Sequence, residues 1–187
     1  MIGDRAACLK LLIDAGANLE ATDALSKTPL HEAAANGYPE LLSLLIQSGA
    51  NVNATNINGY TPLHEATSIP LAPGYAGSAV DCVDLLLKAG AAVNVEEINR
   101  WTPLDIAINR RHYRMWPLLL RAGAEVPRYY SPMPNQYLLR VQGAGGFNKY
   151  AQAHLARLTN TFEPKLPLLP PELVRHVVSF WLHAGYY

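Results

Sequence analysis

The sequence predicts an all-α protein built from repeats, and three observations carry that reading. The tetrapeptide Thr28-Pro29-Leu30-His31 recurs as Thr61-Pro62-Leu63-His64 and, with one change, as Thr102-Pro103-Leu104-Asp105. A Leu-rich run ending in Gly-Ala follows each copy, and the Gly-Ala pairs begin at Gly16, Gly49, Gly90 and Gly123, hence 33, 41 and 33 residues apart. Each unit also carries helix punctuation. Thr at an N-cap satisfies an orphan amide, Pro suits the first helical position because its missing N–H needs no partner there, and Gly ends a helix by taking a left-handed conformation. A fixed period of about 33 residues is the mark of a repeat architecture.

These residues resemble the ankyrin repeat family, over roughly residues 4 to 126. The resemblance implies a turn and two antiparallel helices per unit, stacked into a curved solenoid with short turns as fingers. It divides residues 1–126 into a partial unit 1–22 and units 23–55, 56–96 and 97–126, and leaves 127–187 as a helical tail expected to pack on the last repeat.

The elements follow in order. Ala6 to Ile13 reads as the second helix of a unit whose first helix is missing. Leu9, Leu12 and Ile13 then lie on or near an open end, which end repeats of a solenoid normally keep polar. In unit 23–55 the helices are Thr28 to Asn36 and Pro39 to Gln47. Ser26 stands where the family usually has Gly, and a left-handed residue there costs roughly 1 kcal/mol, so the turn is expected to be reshaped. Unit 56–96 keeps that glycine as Gly59 and carries an insertion near 71–78. Its Pro73 and Gly74 predict a loop, with Ser78 and Asp81 capping the next helix. Unit 97–126 has Arg100 and Arg111 in glycine positions, and Pro117 makes its second helix start late, near Trp116, or kink.

From Pro127 the grammar changes, for 7 of the 14 prolines and 10 of the 16 aromatic residues fall in the last 61 positions. Asn135 to Gln142, stopped by Gly143, and Phe147 to Leu158 read as helices, and a third begins at Pro171 with Leu173, Val177 and Trp181 as an i, i+4 stripe.

Composition narrows the function. Formal net charge is zero, so the footprint of a general nucleic-acid binder is absent. Residues 1–127 hold 9 basic and 13 acidic side chains and residues 128–187 hold 6 and 2, opposite surpluses suited to docking on one another. Cys8 and Cys82 read as reduced core thiols rather than a disulfide or zinc framework. No apolar run approaches the ~18 residues of a membrane span, and Asp4 and Arg5 interrupt any signal-peptide core. The expectation is an intracellular protein, cytoplasmic rather than nuclear, with no cofactor, metal, nucleic acid, membrane or small-molecule substrate among its partners.

Candidate chemistry is thin. His176 and His183 lack the converging ligands a metal needs and read as a solvated face. Gly143-Ala144-Gly145-Gly146 follows no strand, so it is a turn and not a phosphate loop. No catalytic constellation stands out, and the chain reads as no enzyme. Arg110, Arg111, His112 and Arg114 form a basic cluster, read as a solvated inter-helix loop.

The resemblance assigns Thr28, His31, Thr61, His64, Thr102 and Asp105 to structure, the histidines tying neighbouring units together. It leaves turn tips and first-helix surfaces, on the concave face, for a protein partner: Lys27, Asn36, Asn58, Tyr60, Ile69, Tyr75, Asn99, Trp101, Asn109 and Arg110. Asn53 and Asn94 stand where the family sometimes carries a hydroxylated asparagine. The function implied is a non-catalytic protein-interaction module. Two alternatives stand beside it: a ubiquitin-ligase substrate adaptor, because Leu169 to Val174 resembles the opening of an F-box, and a fragment of a larger ankyrin protein.

Overall fold

A computed structural model describes residues 2–70, 76–126 and 136–162. Its contacts divide the chain into two compact units, 1–124 and 125–187, and among the described residues all regular structure is helical.

The first unit is a stack of helical hairpins. Helix α1 (Ile2–Asp14) is followed by three pairs: α2 (Pro29–Ala35) with α3 (Pro39–Gln47), α4 (Pro62–Ser68) with α5 (Ala76–Lys88), and α6 (Pro103–Asn109) with α7 (Trp116–Arg121). The first helices pack on one another in the order α2, α4, α6, and the second helices in the order α1, α3, α5, α7. Seven-residue helices such as α2, α4 and α6 are too short to persist alone in water. They persist here because equivalent positions form buried columns across the stack. Leu30, Leu63 and Leu104 are fully buried, as are Ala66 and Ala107, with Ala33 at 5% exposure. The alanines let first helices approach closely. Leu45, Leu86 and Leu119 form the matching column on the second helices.

Two kinds of tie fix the stacking. The ring of His31 accepts the Thr28 N–H at Nδ1 (3.1 Å) and, through Nε2, donates to the Tyr60 carbonyl of the next unit (2.9 Å). His64 repeats this with the Thr61 N–H (3.1 Å) and the Trp101 carbonyl (3.2 Å). Asp105 keeps the first half alone, since its carboxylate accepts from the Thr102 N–H at 2.7 Å and hydroxyl at 2.6 Å and is too short to reach a further unit. The second tie lies four residues after the glycine of the first three Gly-Ala pairs. Glu20 Oε1 accepts the Asn51 N–H (2.8 Å), Asn53 Oδ1 accepts the Ala92 N–H (2.8 Å), and Asn53 and Asn94 donate from Nδ2 to the carbonyls of Gly90 (3.5 Å) and Gly123 (3.1 Å). Asn53 and Asn94, read from sequence as modification sites, therefore bind one repeat to the next.

Several expectations need correction. Ser26, Arg100 and Arg111 all adopt the left-handed conformation, at φ 58°, 66° and 58°, so the turns keep their geometry and the side chains bear the strain. Helix α5 begins at Ala76, inside the expected loop, and Ser78 is its third residue rather than its cap. Ala76 to Ala79 contains no proline to interrupt the amide ladder, and a helix once nucleated propagates through such residues. Cys82 is buried, its thiol pushed up to about 12 by desolvation, whereas Cys8 is exposed. Helix α1 has no unit packed outside it among the described residues, which leaves Leu11 and Leu12 exposed and Leu9 and Ile13 half-buried. Pro117 sits in the first turn of α7, so the helix starts late and does not kink.

The second unit contains a helical hairpin, α8 (Gln136–Gly143) and α9 (Phe147–Phe162). Gly143 is still helical, and the chain reverses at Gly145 and Gly146, whose φ values of 78° and 113° suit glycine. Helix α9 runs four residues beyond its expected end. Leu138 and Val141 are buried. The expected third tail helix, the F-box-like segment 169–174, and His176 and His183 lie outside the described residues.

Candidate interaction surface at the turn tips

Each of the three units 23–55, 56–96 and 97–126 opens with a turn whose geometry one side-chain acceptor dictates. Asp23 Oδ1 accepts the N–H groups of Leu25 (2.9 Å) and Lys27 (2.8 Å). Asn56 Oδ1 accepts those of Asn58 (2.9 Å) and Tyr60 (3.0 Å), and Glu97 Oε1 accepts that of Trp101 (3.2 Å). Backbone bonds close the same turns, from Asp23 to Lys27, Asn56 to Tyr60 and Glu97 to Trp101. With the turn fixed from both ends, the residue before Lys27, Tyr60 or Trp101 has to be left-handed, which explains Ser26 and Arg100.

Neighbouring turns are laced together, because the Ile57 N–H donates to the Leu25 carbonyl and the Ile98 N–H to the Asn58 carbonyl, both at 3.1 Å. The approach is close. A Cβ at Gly59 would stand 3.3 Å from the Cα of Glu97, so that position excludes a side chain on space as well as on its φ of 76°.

Between the turn tips lies a cleft of about 320 Å³ lined by Leu25, Lys27, Asn56, Asn58, Tyr60, Glu65, Glu97, Ile98 and Asn99. Its floor is polar and already paired. Lys27 Nζ meets Glu65 at 2.9 Å and Glu32 at 3.8 Å, and its pKa is raised chiefly by the hydrogen bond to Glu65, against the opposing effect of burial. Glu97, 4% exposed, also accepts from Asn99 Nδ2 at 3.1 Å. Burial raises the Tyr60 pKa, reinforced by the charges of Glu97 and Glu65. Its rim carries exposed apolar groups beside exposed Asn58 and Asn99, for Leu25 and Ile98 are exposed at 47% and 66%, and Ile57, next to Asn58, at 57%.

Of the residues singled out for a partner, Lys27, Asn58, Tyr60 and Asn99 line this cleft together. Trp101 is exposed. Asn36, Asn109 and Arg110 are exposed at the far ends of α2 and α6, where Asn36 Nδ2 donates to the Glu32 carbonyl at 2.8 Å. Ile69 is a correction. It is 6% exposed and fills space against the turn at Gly37, because α4 ends at Ser68 and the next residue turns into the core. Tyr75 lies outside the described residues. The basic cluster is split, with Arg110, Arg111 and Arg114 exposed and His112 turned inward at 3% exposure, where desolvation lowers its pKa. Leu25, Asn56, Glu65 and Glu97 were not foreseen as cleft residues. The signal for two of them was present, since Asn56 and Glu97 stand five residues before a Thr-Pro, as Asp23 does.

Among the described residues no group of three or more His, Cys, Asp or Glu side chains converges as metal ligands would. No described helix is long and apolar enough to cross a membrane.

A model of ankyrin repeats in three copies matches residues 2–72, and a single ankyrin repeat model matches residues 58–98. The chain belongs to the ankyrin repeat family. No curated protein matches it. Ankyrin repeats are generally protein-protein interaction modules, and the family is typically non-catalytic. In this ankyrin array the histidine ties and the laced turns hold the backbone, while the cleft and the apolar groups on its rim are left to the solvent side.

Proposed function

We propose that the chain is a non-catalytic interaction module that binds a protein partner on the concave face of its ankyrin array, at the turn tips of residues 25–27, 57–60 and 98–101. The observation that supports this most is the set of exposed apolar groups above a paired polar floor. Leu25, Ile57 and Ile98 remain exposed on turns held rigid by backbone bonds, and large apolar groups kept in water at preorganised positions cost little to bury against a partner. The carboxylates of Glu65 and Glu97 and the amides of Asn58 and Asn99 suit a segment that presents hydrogen-bond donors beside an apolar anchor.

The test is affinity capture by the full chain compared with a Tyr60→Ala/Trp101→Ala variant and an Ile57→Ala/Ile98→Ala variant, each shown by circular dichroism to be folded. A protein retained by the parent chain and lost from both variants supports the proposed surface. One retained equally by all three moves the binding site elsewhere.

A further inference from the structure

The turn-tip cleft is rich in hydrogen-bond acceptors that have capacity to spare. Glu65 makes both of its side-chain bonds through Oε1, to Lys27 Nζ at 2.9 Å and Asn56 Nδ2 at 3.5 Å, so among the described residues its Oε2 accepts none. Glu97 accepts the Trp101 N–H on Oε1 at 3.2 Å and Asn99 Nδ2 on Oε2 at 3.1 Å, and each of those oxygens has room for a second donor. Asn99 spends its amide nitrogen on that bond, which leaves its Oδ1 as a further acceptor.

The charge of the lining leans the same way. Glu65 and Glu97 share the cleft with one cation, Lys27, and Lys27 is itself divided between Glu65 and Glu32. Asp23 and Glu32 add their negative charges around Lys27, while Arg110 acts on Tyr60 from outside the lining. Among the described residues no ion pair includes Glu97. Neutral donors alone hold this carboxylate, although it is almost wholly buried, and a buried charge without an ion partner is costly. Tyr60 adds an aromatic ring, steadied by its tilted contact with the His64 ring at 5.4 Å, and Leu25 and Ile98 give apolar cover beside it.

These features select among guests. An anion entering the cleft meets two carboxylates. A lysine ammonium is a compact, strongly hydrated point charge that suits a single acceptor better than several separated ones. A guanidinium carries five donors in a planar fork, gives up water more readily and stacks on aromatic faces, and a space of about 320 Å³ accommodates it. We propose that this cleft receives an arginine side chain of the protein partner, its guanidinium between Glu65 and Glu97 and its stem along Tyr60 and Ile98. The assignment rests on the turn tips being the docking face, and it adds the chemistry that the face selects.

The experiment titrates the ¹⁵N-labelled full chain, at constant ionic strength, with acetyl-leucyl-arginine amide and with the same dipeptide carrying lysine, citrulline or glutamate in place of arginine. Saturable shifts of the Asn58, Tyr60, Ile98 and Asn99 amide signals are expected from the arginine form, weaker ones from lysine, and none from the neutral isostere citrulline or from glutamate. Glu97→Gln, whose amide oxygen still accepts the Trp101 N–H, is expected to weaken arginine binding about tenfold, the scale of one lost charge-assisted hydrogen bond. Glu65→Gln is expected to weaken it by a second route. Lys27→Met removes the competing cation and is expected to tighten binding, a change of sign that loss of structure does not produce. Asp84→Asn on α5, outside the lining, is expected to leave it unchanged. The proposal is overturned if the arginine form gives no saturable shift, if the citrulline form binds as tightly, or if Glu97→Gln and Glu65→Gln, both folded by circular dichroism, bind as the parent does. A captured partner lost from Tyr60→Ala/Trp101→Ala but retained by Glu65→Gln/Glu97→Gln keeps the docking face and overturns the arginine. One retained by every variant removes the docking face and the arginine with it.

Discussion

Three residues with side chains sit where backbone geometry asks for glycine: Ser26, Arg100 and Arg111, all at positive φ. Each carries strain on the order of 1 kcal/mol relative to a glycine in the same conformation. Arg111→Gly is therefore expected to raise stability by up to about that amount, less the entropy a glycine adds to the unfolded chain. Gly59→Ala is expected to lower stability by more, because it adds a Cβ at positive φ and within 3.3 Å of Glu97 Cα. Urea unfolding midpoints of the two variants check the pair, and equal shifts of the same sign would contradict the account. At this scale the sequence was only partly legible. The Gly59 turn could be read directly, but Ser26 was expected to relax its turn, and it does not. The reason is non-local. Asp23 holds the turn from one side and the Ile57 N–H holds it from the next repeat, so local preference is outvoted by bonds that no single window of sequence displays.

At the scale of elements, helix boundaries were legible wherever Thr-Pro or Tyr-Pro punctuation marks them, as at α2, α3, α4 and α6. They were less so at α5, whose start rests on residues without a strong preference. The inter-repeat straps escaped notice because an asparagine carries no sign of where its amide will reach. Asn53→Ala removes the bond from the Ala92 N–H and the bond to the Gly90 carbonyl. At roughly 0.5–1.5 kcal/mol per bond, a loss of about 1–2 kcal/mol is expected. Glu20→Ala removes one exposed bond and is expected to cost less. Chemical denaturation of both variants tests the order. Part of the candidate cleft was readable in the same way. Lys27, Asn58, Tyr60 and Asn99 follow from their place beside each Thr-Pro, whereas Glu65 joins only because Lys27 of the preceding unit draws it in.

For the whole array, buried imidazoles contribute to the response to acid. Desolvation lowers the pKa of His64 and His112 below the ordinary 6.5, so the unfolded chain binds protons more readily than the folded one. Stability from this source is present above about pH 6.5 and is lost as pH falls through the lowered folded values. For His64 the structural meaning is plain, since protonation at Nδ1 destroys the acceptor for the Thr61 N–H. Lys27 acts in the opposite sense. Its raised pKa stabilises the fold below 10.5, and that contribution disappears as pH rises through the folded value. The unfolding midpoint of the array is expected to be level near neutrality and to fall on acidification below about pH 6.5. Replacing His64 with Asn is expected to flatten the acid limb, and an unchanged slope would place the titrating group elsewhere.

The Thr-Pro and Gly-Ala spacings both stretch from 33 to 41 residues in one unit, by eight, yet α4 still packs on α2 and α6, and α5 on α3 and α7. Four of the eight lengthen α5, which has 13 residues against 9 in α3, and the other four fall between Ser68 and Ala76. The register of the stack thus does not depend on the length of this junction, and adding chain between two fixed ends costs only slowly growing closure entropy. The junction behaves as a port. A passenger sequence inserted there, whether by evolution or by an engineer, leaves the spine of the array as it was.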